Sequence, residues 1–377
     1  MPGDTLDYVS RNRIVSQVVD IMGEARWTIP SDFMTKSHYE RVVRSLDWNS
    51  SPGVPYCHTA TSNRALFKCV DSVPDQGIVD SFWDLVQQRL NNRDADPIRL
   101  FIKPEPVHER KSRIGRFRLI SSVSVLDQII DAMIFGDANQ RIIDTYQYHP
   151  VKVGWTPYKG GWKVMPTRAL AIDKSKWDFT VKDWMLALEL DVRCKMCTNL
   201  TDDWVDLATW RYKMLYDKAI LQTSAGFQLR QKFVGYQKSG CVNTIIGNSL
   251  MQLILHVRVC NEIKEEPHWI AVLGDDTIQD KPGDLRAYLD CLSKYSIIKD
   301  AHESVDFAGH RFMGMRVEPL YRGKHAFNLR HVSPTWYDDL ARSYALLYHR
   351  SGYRGAMRRG LKNLPSLVDL DVIYDAF

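Results

Sequence analysis

The sequence predicts an α+β protein, because apolar patterns of strand type and of helix type alternate along one long chain. The chain has 377 residues with 45% hydrophobic content, enough to bury a large core. Short apolar runs predict strands over Ile98 to Ile102 and Arg168 to Ile172. Apolar stripes at helical spacing predict helices over Gln76 to Leu90, after Ser124 and after Ser239. No linker long enough to separate independent domains interrupts these patterns.

Charge, cysteine content and hydropathy narrow the class of protein. The formal charge of +5 is modest for this length, so the distribution of charge matters more than its sum. Among the seven cysteines only Cys194 and Cys197 have metal-like or redox-like spacing, so we expect reduced thiols. Met1 to Thr5 lacks a basic and then apolar start, and no apolar stretch approaches the ~18 residues of a bilayer span. We therefore expect neither secretion nor an intrinsic membrane span.

Trp269 to Gln279 consists of an apolar run, a Gly-Asp-Asp turn and a second apolar run, which predicts a β-hairpin. Asp275 and Asp276 would lie together at its tip. Adjacent carboxylates repel each other unless a cation lies between them, and hard oxygen ligands suit Mg²⁺. For an Asp-Asp turn taken alone, a solvated hairpin tip is the simpler alternative.

A further aspartate ends the predicted strand Arg168 to Ile172. Asp173 follows that strand directly, and Asp178 comes next, before Thr180 and Asp183 predict a helix cap. Two-metal phosphoryl transfer requires carboxylates from separate elements that converge on ions ~3.5–4 Å apart. Asp173 together with Asp275 would meet this requirement, whereas the alternative is a turn residue with no further role.

Two segments have the composition of an anion-binding surface. Lys103 to Arg118 carries six lysines and arginines between two strand patterns, and alternation places Arg116 and Arg118 on one strand face. Two guanidinium groups there could hold a triphosphate, although a solvated basic face is the alternative. Lys152 to Lys163 mixes cations with aromatic rings and glycines, as in surfaces that neutralise phosphates and stack bases. It lacks the residue order of a phosphate-binding P-loop.

Ser239 opens an apolar segment that runs to about Cys260, along which Thr244, Asn248 and Gln252 form one polar line. Buried amides and hydroxyls need hydrogen-bond partners, which either the protein or a polar ligand such as a ribose supplies. Ser51 to Tyr56 is a stiff, turn-rich segment that could steer a phosphate backbone or be an ordinary loop.

The order of these motifs resembles the motif series of positive-strand viral RNA-dependent RNA polymerases. The residues that carry the resemblance are Arg118, Asp173 with Asp178, Ser239-Gly240 with Thr244 and Asn248, and Gly274-Asp275-Asp276. Three flanking segments resemble the template-entry motif, the basic fingertip motif and the primer-grip hairpin of that family, in this order: Ser51 to Pro55, Lys103 to Ile120, and Phe307 to Phe312. Trp177 and Val153 to Pro157, together with the primer-grip hairpin, are most similar to sobemovirus-type polymerases.

The resemblance implies a closed right hand whose palm is an antiparallel sheet flanked by helices. The implied ranges are fingers over 1–165, palm over 166–187, a fingers insertion over 188–237, palm over 238–315 and a small helical thumb over 316–377. Between 322 and 362, nine lysines and arginines face only Asp338 and Asp339, which suits an RNA-facing thumb. Ser333-Pro334 predicts the start of a thumb helix with Trp336 facing inward.

The resemblance also assigns roles to individual residues. Asp173, Asp275 and Asp276 would hold two Mg²⁺ ions, with Mn²⁺ as a substitute, and Lys299 would donate a proton to pyrophosphate, with His302 as the alternative donor. The implied NTP-binding residues are Lys103, Arg116, Arg118, Asp178, Ser239, Thr244 and Asn248. The implied RNA-binding residues are Ser51, Gly53, Pro55, Arg113, Lys152, Trp155, Lys159, His310 and Arg311.

The implied partners are template RNA, nascent RNA, NTPs and other viral replication proteins, in a replication complex of the host cytoplasm. A reverse transcriptase is one alternative, but it typically has a bulky aromatic residue in place of Asp178 and lacks the Ser-Gly and Asn pattern. A non-catalytic RNA-binding descendant is another, but it would have lost a metal carboxylate or the fingertip arginines. All of these residues are present, which argues against both alternatives.

Overall fold

The computed structural model describes residues 6–376, which form two compact units. The first unit combines the described residues up to His149 with Lys176–Arg258, and the second combines Pro150–Ser175 with the described residues from Val259 onward. Met1 to Thr5 and the last residue of the predicted thumb range, Phe377, lie outside the described residues. None of the described helices is long and apolar enough to cross a membrane.

Helices and strands are interspersed along the described residues, which confirms the predicted α+β class. The helices are α1 (Tyr8–Ile21), α2 (Lys36–Arg44), α3 (Asn63–Leu66), α4 (Gln76–Asn92), α5 (Glu109–Arg113), α6 (Val125–Asp144), α7 (Trp177–Thr180), α8 (Asp183–Met196), α9 (Asp202–Tyr216), α10 (Thr244–Glu262), α11 (Leu285–Leu292), α12 (Arg322–His331), α13 (Tyr337–Leu347), α14 (Arg354–Gly360) and α15 (Leu367–Asp375). The strands are β1 (Ile98–Ile102), β2 (Leu119–Ser122), β3 (Leu170–Ser175), β4 (Ile220–Thr223), β5 (Gln228–Arg230), β6 (Ile270–Leu273), β7 (Asp276–Gln279), β8 (Ile297–Glu303), β9 (Asp306–Phe307), β10 (His310–Met313) and β11 (Arg316–Pro319).

The first unit contains a four-stranded sheet with the strand order β2-β1-β4-β5, and the predicted strand Ile98 to Ile102 is confirmed as β1. The predicted cap of α6 is confirmed too, since the Ser124 side chain accepts the backbone N–H of Asp127. The Asp127 carboxylate itself is buried beside the Arg211 guanidinium, which also holds Asp131 at 2.5 Å. These ion pairs bind α6 to α9 inside the unit, where an unpaired charge would be costly.

The second unit contains an antiparallel sheet with the order β6-β7-β3-β8 and a three-stranded sheet with the order β11-β10-β9. The predicted Gly-Asp-Asp hairpin is confirmed, because β6 and β7 pair from Leu273 opposite Asp276 back to Ile270 opposite Gln279. A second tight turn at Ala308-Gly309 joins β9 to β10. Apolar side chains of the central strands, including Ile172, are buried.

The predicted cap of α8 and the predicted inward orientation of Trp336 are wrong. Thr180 does not cap α8, whose N-cap is Lys182 without a side-chain hydrogen bond. Thr180 instead ends the one-turn helix α7, and its hydroxyl donates to the carbonyl of Trp177. Trp336 does not face inward either, because it ends a short 3₁₀ turn before α13 begins and is 66% exposed.

Candidate active site

Three aspartates converge on the central sheet of the second unit. Asp173 lies on β3 between β7 and β8, and Asp276 is the first residue of β7. Asp275 occupies the two-residue turn with Gly274, whose φ of +64° is a left-handed conformation that glycine adopts without strain. The tight turn therefore holds two carboxylates beside a third that comes from a neighbouring strand.

The carboxylates of this group affect one another's charge. Partial burial, together with the like charges of Asp275 and Asp173, raises the pKa of Asp276 to about 6. All three aspartates retain exposed surface, so they remain accessible to ions from solvent. A set of hard carboxylate oxygens that repel each other fits divalent cations such as Mg²⁺ or Mn²⁺. Asp173, Asp275 and Asp276 are the residues that would hold them.

A buried lysine lies under these carboxylates and was missed by the sequence-based reasoning. Lys174 is only 7% exposed, and its ammonium donates to the Thr277 hydroxyl at 3.2 Å. Burial lowers the pKa of Lys174 to about 8, while the charges of Asp275, Asp173 and Asp276 act in the opposite direction. The strand alternation could have revealed it, because Lys174 shares the buried face of β3 with Ile172.

Lys299 contacts the carboxylate of Asp173 directly. The pairing of β3 with β8 shifts register between Asp173 and Lys174, so Lys299 lies in an irregular step of the ladder opposite them. The hydrogen bond to Asp173 raises the pKa of the Lys299 ammonium. His302, the alternative proton donor, instead places its Nε2 3.2 Å from the Asp306 carboxylate.

In the first unit, the structure brings together two predicted ribose-binding residues that are 70 positions apart. The Asn248 side-chain amide donates to Asp178 Oδ1 at 3.0 Å, and its carbonyl oxygen accepts the indole N–H of Trp177 at 3.0 Å. Asn248 is 6% exposed and Trp177 is 2% exposed. The protein thus supplies two partners for the buried amide, and the pair fixes the orientation of the Asp178 carboxylate.

Ser239 and Thr244 hold the segment that precedes α10. This helix begins at Thr244, whereas the sequence predicted a start directly after Ser239. The Ser239 hydroxyl oxygen accepts the backbone N–H of Ser121 on β2 at 3.1 Å. The Thr244 hydroxyl lies 2.8 Å from the backbone carbonyls of Lys238 and Cys241. Thr244 therefore supports the turn before α10, so its predicted role in NTP binding would be indirect.

Every residue of the basic fingertip segment from Lys111 to Leu119 is exposed. Arg116 and Arg118 precede β2, which starts at Leu119. The prediction that strand alternation places them on one strand face is therefore wrong. Glu105 lies 3.8 Å from the Lys103 ammonium and 3.5 Å from Arg118. Arg113 pairs with Glu109 one turn earlier on α5. The exposed side chains of Arg116 and Arg118 are accessible to an anion from solvent.

Ser51 to Pro55 packs on the start of α6. The backbone carbonyl of Pro52 accepts the N–H of Val125 at 2.8 Å. A Cβ on Gly53 would lie 2.8 Å from the backbone of residues 123 and 124, so only glycine permits this approach. Ser51 is half-buried and Pro55 is exposed, and their contact with RNA stays a prediction.

The other predicted RNA-binding residues lie in the second unit, and several are held by protein contacts. Trp155 packs between Phe307 and Phe312, with ring centroids 5.7 and 5.9 Å away. His310 is 7% exposed and its Nδ1 donates to the Ala308 carbonyl, while Arg311 holds Asp306 with two 2.7 Å hydrogen bonds.

The loop that carries Lys152 and Lys159 is docked on α15. The backbone N–H of Lys159 donates to the carbonyl of Ile373, and the Trp162 indole donates to Asp375 at 3.1 Å. Lys152 is half-buried, whereas the Lys159 side chain is exposed. Lys159 is therefore better placed for a contact with RNA than Trp155.

Comparison with known proteins identifies the family. Residues 26–292 match the profile of the family described as viral RNA-dependent RNA polymerase. The replicase polyprotein P2AB of Southern bean mosaic virus is 30% identical over 270 residues, which cover 64% of this chain and 27% of that polyprotein. Protein P1-P2 of Turnip yellows virus is 30% identical over 262 residues, covering 62% of this chain and 23% of that protein.

Protein P2-P3 of Poinsettia latent virus is 29% identical over 350 residues, or 81% of this chain and 30% of that protein. The chain thus spans about a quarter of the length of the curated relatives it matches. Family membership rests on the profile, which covers more than half of the chain. The chain belongs to the viral RNA-dependent RNA polymerase family of positive-strand RNA viruses and is sobemovirus-like within it.

Proposed function

We propose that this chain is an RNA-dependent RNA polymerase that replicates a positive-strand viral RNA genome by adding nucleotides from NTPs. The observation that carries the proposal is the convergence of Asp173 with Asp275 and Asp276 on one antiparallel sheet. That arrangement occurs in a chain whose family is defined by this activity. RNA template, nascent RNA and NTPs are the proposed partners.

The three aspartates are proposed to hold two Mg²⁺ ions. When bound, such ions lower the pKa of an attacking hydroxyl and neutralise charge on a leaving phosphate. Asp173, Asp275 and Asp276 would supply the oxygen ligands, and Lys174, whose pKa burial lowers to about 8, would offset part of their negative charge when it is protonated. The Thr277 hydroxyl on β7 accepts a hydrogen bond from Lys174 and donates one to the carbonyl of Ile172 on β3. These two hydrogen bonds fix the position of the Lys174 ammonium.

The first unit is proposed to bind the incoming nucleotide. Exposed Arg116 and Arg118 would contact the triphosphate, because guanidinium groups bind phosphate oxygens in a bidentate manner, and half-buried Lys103 would add a further positive charge. Asp178, oriented by Asn248, would accept a ribose hydroxyl, while Ser239 would act through the turn that it holds. A site built to pair with a hydroxyl rejects a sugar that lacks it.

Lys299 is proposed as the proton donor to pyrophosphate. Its contact with Asp173 places the ammonium at the carboxylate group, whereas His302 is engaged with Asp306. The proposed architecture is the closed right hand with the fingers, palm and thumb ranges given above. A viral replication complex in the host cytoplasm, with other viral replication proteins, is the proposed setting.

A primer-extension assay tests the proposed function, using a short RNA hairpin, the four NTPs and Mg²⁺. The wild-type chain should extend the hairpin, and Asp275→Ala should not. Asp280→Ala is the matched control, since Asp280 is an exposed aspartate that directly follows β7. Extension by Asp275→Ala at the rate of Asp280→Ala would contradict the assignment, as would a wild-type chain that binds RNA and NTPs without extension.

A further inference from the structure

We propose that Tyr236 is a positioning residue that couples the strand after the fingertip arginines to the ribose-selecting residues Asp178 and Ser239. The inference rests on the proposed function and concerns residues of the first unit alone. Tyr236 lies three residues before Ser239, and its side chain is 8% exposed. Three sets of contacts carry the argument.

The first contact joins Tyr236 to β2. Its hydroxyl lies 2.7 Å from the hydroxyl of Ser121, which is fully buried. The backbone N–H of the same Ser121 donates to Ser239 Oγ at 3.1 Å. β2 begins one residue after Arg118, so Ser121 connects the exposed basic segment to the turn that carries Ser239. A shift of Ser121 would therefore move a hydrogen-bond partner of both Tyr236 and Ser239.

The second contact joins Tyr236 to the Asp178 segment. The ring stacks on Phe179 with a centroid distance of 4.7 Å and an interplanar angle of 14°. Two backbone hydrogen bonds run beside the stack, from Tyr236 N–H to the Val181 carbonyl and from Gln237 N–H to the Asp178 carbonyl. Phe179 is 58% exposed, so its ring buries little surface in the core. Its clearest structural partner is the Tyr236 ring.

The third contact comes from a buried lysine. The Lys238 ammonium lies 4.4 Å from the centre of the Tyr236 ring, at a side chain with no exposed surface. It donates to Gln231 Oε1 at 2.5 Å and to the Tyr236 carbonyl at 2.9 Å. Burial lowers the pKa of Lys238 to about 7, and its hydrogen bonds hold the segment in either protonation state. Lys238 therefore holds both the ring and the peptide of Tyr236.

The backbone at Tyr236 adopts an uncommon conformation beside these contacts. Tyr236 has a φ of +60°, a left-handed conformation that side chains with a Cβ rarely adopt. The preceding Gly235 approaches the Val181 carbonyl so closely that a Cβ would lie 2.5 Å from that oxygen. Strain of this kind persists where the surrounding structure over-determines the conformation, and it clusters at functional sites.

Two variants separate the contacts. Tyr236→Phe removes the hydroxyl and keeps the ring, and Phe179→Leu removes the stack at an exposed position where the fold should tolerate it. Tyr8→Phe is the matched control, because Tyr8 is 78% exposed in the same unit. Hydrogen–deuterium exchange of the free protein should rise in peptides over 119–123 and 236–243 for Tyr236→Phe. For Phe179→Leu it should rise over 176–183 and 236–243.

In primer extension, Tyr236→Phe should lower the ratio of rNTP to dNTP kcat/KM by about 3- to 10-fold, the effect that one neutral hydrogen bond supports. Phe179→Leu should lower the ratio by a similar factor, since an aromatic pair contributes a comparable free energy. RNA affinity should not change. Exchange equal to that of Tyr8→Phe in all three segments would overturn the proposal. Raised exchange with an unchanged ratio would reduce Tyr236 to a purely structural residue. A wild-type chain that extends no primer would refute the proposed function, while the exchange data would still decide the coupling.

Discussion

The Asp178 and Asn248 pair of the first unit and the three carboxylates of the second unit are built in opposite ways. Asn248 is buried and has protein partners on both ends of its amide. Asp173, Asp275 and Asp276 are exposed and repel each other, which contributes to the raised pKa of Asp276. Folding alone completes the first group, whereas the second keeps a repulsion between carboxylates that the proposed cations would relieve.

This difference predicts how the two groups respond to substitution. Removing a residue from a satisfied buried group leaves its partners unpaired, so stability and function fall together. Removing one carboxylate from a repelling group relieves repulsion, so activity falls while stability is kept or rises. Four experiments test this contrast.

The largest effect is expected for Asp275→Ala. Nucleotide addition should fall by about 10³-fold or more, which corresponds to ~4 kcal/mol of lost transition-state stabilisation. The melting temperature without metal should stay equal or rise, and the rise in melting temperature that Mg²⁺ or Mn²⁺ gives the wild type should be lost. Single-turnover extension and thermal denaturation measure the two quantities. A large fall in metal-free stability would break the contrast.

Lys299→Leu should lower single-turnover nucleotide addition by ~10²–10⁴-fold, the contribution typical of a general acid. Lys299→Arg separates two roles of the ammonium, because arginine keeps the charge beside Asp173 but does not release a proton near neutral pH. If Lys299 donates a proton, the arginine variant should be almost as slow as the leucine variant. Full activity in Lys299→Leu, with a matching loss in His302→Ala, would exchange the two roles.

Asn248→Ala should lower both sugar discrimination and stability. The ratio of rNTP to dNTP kcat/KM should fall by about 10-fold, since the variant no longer orients Asp178. The free energy of unfolding should fall by about 1–3 kcal/mol, because a buried indole N–H loses its acceptor. Denaturant unfolding provides that value, and Asn91→Ala, at an exposed asparagine on α4, is the control. A loss of stability with an unchanged ratio would make Asn248 a core residue.

The smallest effect is expected for the pH-dependent contribution of Asp276 to the free energy of unfolding. Its folded-state pKa of about 6 exceeds the ordinary value, so the folded state binds more protons than the unfolded state between about pH 4 and 6. This contribution to stability is present below pH 4 and is lost as pH rises through 6. Asp276→Asn should therefore stabilise the metal-free protein at pH 7.5 but not at pH 4, by about 1 kcal/mol after solvent screening. Equal effects at both pH values would contradict the sign.

The sequence by itself determined the elements that depend on neighbouring residues. The strand β1, the Ser124 cap of α6 and the Gly274-Asp275 turn all follow from alternation, local hydrogen bonding and backbone conformation. The order of the motifs along the chain also indicated the polymerase family. The patterns that predict β1, the Ser124 cap and the Gly274-Asp275 turn each act over a few residues, so they can be recognised without knowledge of the packing.

The tertiary structure decided which side chains meet across long separations. Asp173 and Lys299 are 126 positions apart, and Trp155 is packed by two phenylalanines of β9 and β10. Lys174 lies under the carboxylates because β3 is central in its sheet, and Tyr236 links three segments through contacts that no local pattern encodes. The physical reason is that the whole chain determines which surfaces come together, and therefore which side chains are buried or paired. A residue type by itself is compatible with several of these environments.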